Sequence, residues 1–296
     1  MQIFTFIGLG NMGFQMVQHL IRRKNTHVNI FDINKKIYKK FTQKNITKLN
    51  SIEDLPKETT VFFTMLPDGK SLEKVVLGKN GVAKIAKKGT HLIDFSSIDY
   101  SITKKINTHL LKRGVGLLDA PVSGGVSGAK NKSLTIMVGG DKKIFNKSKK
   151  ILSLFGKNIF FVGKSGSGQI IKTCNNMMLG INMIGICESY LLSKRYGIDK
   201  KLFFKICSTS SSSSWAMLNH LPIKGLTKNS AANNGFKPGY AAKLITKDLN
   251  IAQSLAKNAN MDNILGKNAK SIYDKFCNDG FENLDYAGII KYLENN

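Results

Sequence analysis

The chain has 296 residues, 42% of them hydrophobic and 22% charged, enough to bury a core in one large or two medium domains. Its four cysteines form no CxxC pair and its five histidines show no HxH or HxxxH spacing, which excludes a disulfide scaffold and argues against a metal site. The net charge of +26 invites a nucleic-acid reading, yet among 45 basic residues only Arg22, Arg23, Arg113 and Arg195 are arginine, and the lysines are scattered in pairs; a solvated surface is the better reading.

The first predicted strand, over residues 3–7, begins almost at Met1, with no visible presequence. A cytoplasmic, bacterial setting is therefore expected, with a mitochondrial matrix as the alternative in a eukaryote. No apolar run reaches the ~18 residues that a membrane span requires, so no membrane partner is expected. After the strand comes "GLGNMG", which places Gly8, Gly10 and Gly13 in G-x-G-x-x-G spacing, with Leu9, Asn11 and Met12 between them. A helix over residues 12–24 follows, the context this motif needs to cradle a pyrophosphate on backbone N–H groups. A second strand over 28–31 ends at Asp32, 19 residues after Gly13, where a carboxylate can accept hydrogen bonds from a ribose. That carboxylate favours NAD over NADP, although Lys35 and Lys36 follow closely.

Strands over 60–65 and 91–95 are followed by "LPDGKS" and "SS", which makes Leu66, Pro67, Ser71 and Ser97 candidate cofactor walls; ordinary βα loops are the alternative. A helix over 101–113 and strands over 116–118, 134–138 and 159–162 complete a βαβ rhythm. Several strands are apolar on both parities, as in a sheet covered on both faces. The predicted fold is a Rossmann-type, doubly wound, mostly parallel sheet over 1–163. A long interdomain helix and an all-helical domain occupy 164–296, with helices expected over 169–195, 200–207, 241–258 and 261–280.

Two segments suggest chemistry beyond cofactor binding. Ser123, Gly124 and Gly125 follow a strand and can turn a hydroxyl and successive N–H groups toward one anion, such as a substrate carboxylate. A tight strand-to-strand connection needing glycine only for its backbone angles is the alternative. On the long helix, Lys172 shares a face with Asn175 and Asn176, at i+3 and i+4. Buried there, its pKa would fall from ~10.4 toward the range of a general base. A surface lysine fits the spacing equally well.

In order along the chain, "FIGLGNMG", "TMLP", "IDFSSID", "DAPVSGGVSGA" with "LTIMVGG", "GSGQIIKTCNNMMLG" and "GYAAKLITKDLNIA" resemble the β-hydroxyacid dehydrogenase family. The resemblance implies a substrate loop at Ser123, Gly124 and Gly125, a catalytic lysine at Lys172 and a substrate-orienting Asn176. It also implies Lys247, with Asp248 beside it, near the nicotinamide, and Trp215 and Tyr240 at the substrate pocket. The implied activity is NAD-dependent oxidation of 3-hydroxyisobutyrate to methylmalonate semialdehyde, in valine degradation, by a homodimer or homotetramer. Two departures bear on substrate identity: serines 210–214 stand where a Gly-Arg pair is common, and Tyr240 where Phe is common. Related semialdehyde reductases, acting on tartronate, glyoxylate or succinate semialdehyde with NADPH, remain an alternative. A non-catalytic dinucleotide- or nucleic-acid-binding protein is a further one.

Overall fold

The computed structural model describes residues 1–294, which divide into two compact units, Met1–Lys172 and the chain from Thr173 onward. The division of compact units falls inside the long helix.

The first unit is a nine-stranded sheet flanked by helices. In chain order its elements are β1 (Gln2–Ile7), α1 (Asn11–Ile21), β2 (Thr26–Phe31), β3 (Ile46–Lys48), β4 (Val61–Thr64), α2 (Gly69–Leu77), α3 (Val82–Ile85), β5 (His91–Asp94), α4 (Tyr100–Leu111), β6 (Gly116–Asp119), β7 (Val122–Ser123), α5 (Gly125–Lys130), β8 (Leu134–Gly140), α6 (Lys142–Leu152) and β9 (Gly156–Gly163). The strand order β3-β2-β1-β4-β5-β6 is all parallel, and the order reverses between β1 and β4. That reversal is the switch point at which open α/β sheets bind ligands. Beyond β6 the sheet continues through β8, which runs antiparallel to β6 and β7 and parallel to β9.

Alternation along the strands covers both faces. Phe4, Phe6, Phe63, Ile93 and Leu118 pack with Met16, Leu20, Ala129 and Leu152, so α1, α5 and α6 close one face. Ile7, Phe62, Leu92 and Leu117 pack with Leu72, Val76, Val82, Ile106 and Leu110, so α2, α3 and α4 close the other. This is why the strands read as continuous apolar runs. The short strands β3 and β7 were not expected from the sequence; three and two residues are too few to show a period.

A single helix, α7 (Ser167–Arg195, 29 residues), leads into the second unit. There follow α8 (Lys200–Thr209), α9 (Trp215–Asn219), α10 (Ala242–Asn258), α11 (Ile264–Phe276) and α12 (Ile289–Glu294). Met183, Cys187, Phe203, Met217, Ile245, Leu249, Tyr273 and Phe276 form their common core. The helix expected over 261–280 starts three residues later and ends in a π turn at Cys277–Phe281, where Gly280 has φ +87°. No helix among the described residues is long and apolar enough to cross a membrane.

Candidate active site

The parallel strands deliver most of the predicted cofactor residues to one edge of the sheet, their carboxyl ends. Gly8 takes φ +96° directly after β1, and a Cβ there would lie 2.2 Å from the Met65 carbonyl oxygen. Gly13 packs so closely that its Cβ would sit 1.9 Å from the Gly8 carbonyl oxygen. Together they fold the chain tightly from β1 into α1.

Aspartate side chains cap the N-termini of α2 (Asp68), α4 (Asp99), α6 (Asp141) and α8 (Asp199). The N-terminus of α1 has Gly10 at the cap, no side-chain cap bond and no acidic residue in its first turn. Its first N–H groups and the dipole are therefore open to an anion, with no side chain capping them. Asp32 is held at the end of β2: one carboxylate oxygen accepts from Leu9 N at 2.6 Å and the other from Asn34 N at 2.7 Å. Leu66 follows β4 with its N–H donated to Ser96 Oγ at 2.9 Å, and Ser71 N–H caps back to Asp68 at 2.7 Å. Ser97 is half-buried and Pro67 exposed. An uncapped helix end, a closed glycine turn and an anchored acid fit a dinucleotide.

Ser123, Gly124 and Gly125 lie at the end of β7 and the start of α5, with Gly124 and Gly125 at φ +130° and +62°. The two glycines are exposed, and a Cβ on Gly125 would meet nothing within 4 Å, so backbone is open to approach there. The loop joins a strand to a short helix, not strand to strand.

Lys172, in the second turn of α7, is only 9% exposed, which removes the surface-lysine reading. One turn on, Asn176 is buried and fixed. Its amide donates to Asp248 Oδ2 at 2.5 Å and to Tyr240 Oη at 3.3 Å, and its Oδ1 accepts from Asn175 at 3.0 Å. Tyr240 also donates to the same Asp248 oxygen. Lys247 pairs with the other Asp248 oxygen at 3.2 Å. Burial, then the Asp248 charge, holds the Tyr240 hydroxyl well above its ordinary pKa, so it stays a donor.

Trp215 is 59% exposed at the start of α9 and stacks on His220, with ring centroids 6.2 Å apart. His220 in turn hydrogen-bonds Asp285 at 2.7 Å. Sequence reasoning missed Asp285. It is wholly buried, and its second oxygen accepts from Gly239 N and Tyr240 N at 2.9 and 3.1 Å, which sets the backbone that carries Tyr240. Locally it only caps a helical turn by accepting from Ala287 N at 3.1 Å, and the partners that matter here, His220, Gly239 and Tyr240, lie 45–65 residues away. Among the described residues, no group of three or more His, Cys, Asp or Glu side chains could hold a metal ion.

Residues 3–163 match the family described as the NAD-binding domain of 6-phosphogluconate dehydrogenase. Residues 166–293 match the one described as NAD-binding of NADP-dependent 3-hydroxyisobutyrate dehydrogenase. The mitochondrial 3-hydroxyisobutyrate dehydrogenase of Rattus norvegicus is 36% identical over 288 residues, covering 97% of this chain and 86% of that one.

The chain belongs to the β-hydroxyacid dehydrogenase family.

The Drosophila melanogaster mitochondrial 3-hydroxyisobutyrate dehydrogenase is also 36% identical, over 98% of this chain and 88% of its own. The solved structure of Mycobacterium tuberculosis 3-hydroxyisobutyrate dehydrogenase with L-serine superposes with a TM-score of 0.92 at 31% identity, covering 99% of each chain. As a β-hydroxyacid dehydrogenase, the protein is an NAD(P)-binding oxidoreductase with a Rossmann domain and an all-α domain.

Proposed function

We propose that this protein oxidises 3-hydroxyisobutyrate to methylmalonate semialdehyde with NAD, a step of valine breakdown. The carrying observation is a buried Lys172 one helical turn before a rigidly bonded Asn176, in a chain resembling 3-hydroxyisobutyrate dehydrogenases over nearly its whole length. When bound, NAD accepts hydride from the carbinol carbon. Lys172 takes the hydroxyl proton as the amine and returns it as the ammonium in the reverse direction. Ser123 and the N–H groups of Gly124 and Gly125 hold the carboxylate, which aligns the carbinol carbon. Asn176 orients the substrate, its own rotation prevented by Asp248 and Tyr240. Trp215 and Tyr240 border the substrate. The bound L-serine named for the Mycobacterium tuberculosis structure, itself a short β-hydroxy acid, agrees with that substrate class.

Gly8, Leu9, Gly10, Asn11, Met12 and Gly13 hold the pyrophosphate, and Asp32 the ribose. Leu66, Pro67, Ser71 and Ser97 wall the cofactor, and the family resemblance assigns Lys247 and Asp248 to the nicotinamide. NAD is preferred over NADP because Asp32 would repel a 2′-phosphate. Lys35, the first lysine after Asp32 in sequence, is engaged elsewhere. Its ammonium donates to the Leu49 carbonyl at 3.1 Å and lies 4.2 Å from the Phe31 ring centroid. Homo-oligomerisation through the helical unit is supported by exposed Met178, Leu192 and Tyr196 on and beside α7.

The test is NAD+ reduction with (S)-3-hydroxyisobutyrate, with NADP+ and other short β-hydroxy acids in parallel. NAD-dependent turnover on that substrate supports the reading. Activity only with NADP+ or another acid moves the protein to a sister reaction. Lys172→Ala should abolish turnover and leave NAD binding intact; near-normal turnover in that variant removes Lys172 as the base.

A further inference from the structure

Before Lys172, the first turn of α7 carries a side chain that the proposed mechanism does not use. Gln169 is 1% exposed. Its Nε2 donates to the Ser96 carbonyl at 2.8 Å, and its Oε1 accepts from Ile98 N at 3.1 Å. The carboxamide thus bonds the backbone on both sides of Ser97, as a strand edge would. The partners lie 73 and 71 residues away in sequence, so these bonds fix tertiary geometry, not local helix structure.

Both ends of this bridge are anchored. On the helix side, Asp119 at the end of β6 accepts from Gly166 N at 2.7 Å and from Gln169 N at 3.2 Å, which caps α7 from the sheet. On the loop side, Ser96 N–H and hydroxyl both donate to Asp94 Oδ1, at 3.1 and 2.6 Å. Ser96 Oγ also accepts from Leu66 N at 2.9 Å. One connected set of bonds therefore runs from Leu66, through Ser96 and Gln169, to the helix that bears Lys172. All of it lies within the first unit.

We propose that Gln169 is a positioning residue for hydride transfer, holding the Lys172 helix at a fixed spacing from the Ser97 loop. The proposal rests on the reading of Lys172 as base and of Ser97 and Leu66 as cofactor walls. Lys172 stands at i+3 from Gln169, about 4.5 Å along the axis and on nearly the same face, so a shift of Gln169 is carried directly to the ammonium. Proton acceptance and hydride departure must be aligned together, and small displacements at that stage are expensive in rate.

The experiment compares Gln169→Met, which keeps volume and removes both bonds, with Gln169→Asn, which stays polar but is one methylene too short to span both partners. The Asn variant keeps the comparison open if the Met variant does not fold. Amide exchange at Ile98 in the cofactor-free protein, the NADH dissociation constant by fluorescence titration, and kcat and KM with the primary deuterium isotope effect are measured on the full chain. We expect Ile98 to lose protection, NADH affinity and KM to stay within about threefold, and kcat to fall about 10- to 100-fold with a raised isotope effect. A kcat unchanged although Ile98 is deprotected overturns the proposal. So does a kcat loss matched by an equal loss of NADH affinity, or unchanged Ile98 protection. Wild-type silence across the hydroxy-acid panel, or turnover surviving Lys172→Ala, refutes the parent reading and this inference with it. An active, Lys172-dependent wild type with unimpaired Gln169 variants refutes this inference alone.

Discussion

Replacing Asp94 by Asn should change how the stability of the first unit depends on pH. Asp94 ends β5 and pairs in register with Asp119, at the end of β6. It is 1% exposed, and its Oδ2 has no hydrogen-bond partner. Burial raises its pKa from 3.8 to about 6; bonds from Ser96 and Thr64 oppose the rise, and the Asp119 charge adds to it. A carboxyl whose folded pKa lies above its unfolded value binds more protons folded than unfolded between the two. Stability therefore falls as pH rises from about 4 to about 6, by roughly 3 kcal/mol for a shift near two units. Asn stays neutral throughout. The variant-minus-wild-type stability difference should thus increase by about 3 kcal/mol between pH 4 and pH 7, or roughly 6–12 °C in Tm for a unit of this size. A constant offset from the unpartnered Asn Nδ2, about 1–3 kcal/mol, leaves that slope intact. His91, lowered to about 4 by burial and then by Lys147, loses stability on acidification in both proteins and cancels in the difference. Scanning calorimetry at half-unit pH steps reads the slope; parallel Tm curves would refute the reasoning.

Other substitutions probe the remaining contacts. Asp32→Ser should weaken NAD binding and improve NADP binding, read from paired titrations, because it removes the carboxylate fixed by Leu9 N and Asn34 N. Tyr240→Phe deletes one donor to Asp248 and one acceptor of Asn176; we expect about a tenfold loss in kcat/KM with the fold retained by circular dichroism. Asp285→Ala strands His220, Gly239 N and Tyr240 N and should destabilise by about 3 kcal/mol, measured by urea denaturation. Gly8→Ala should fail to fold or bind cofactor, since a Cβ at φ +96° would lie against the Met65 carbonyl.

The Rossmann half was legible because its signals are local. A strand, three spaced glycines, a helix and an acid at the next strand end lie within residues 2–32, and each strand is long enough to show its pattern. Lys172 could be singled out by helical spacing, but its burial could not; spacing fixes a face and says nothing of what covers it. Gln169 looked like any polar residue at a helix start, and Asp285 like a turn aspartate. Their meaning depends on partners brought near by the sheet order, or by the irregular stretch between α9 and α10, which has no period to read. The two very short strands were invisible for the same reason.

The bare end of α1 implies a conflict between the empty and the loaded protein. An aspartate or serine in place of Gly10 would supply the missing cap and stabilise the cofactor-free fold by roughly a few tenths of a kcal/mol. Its side chain would then occupy the N–H groups that a pyrophosphate needs. Leaving that end open keeps the cofactor-free protein slightly less stable than it could be, and under the pyrophosphate role proposed for this end the dinucleotide would act as the cap on binding. Part of the affinity for cofactor is thus a folding energy deferred until binding.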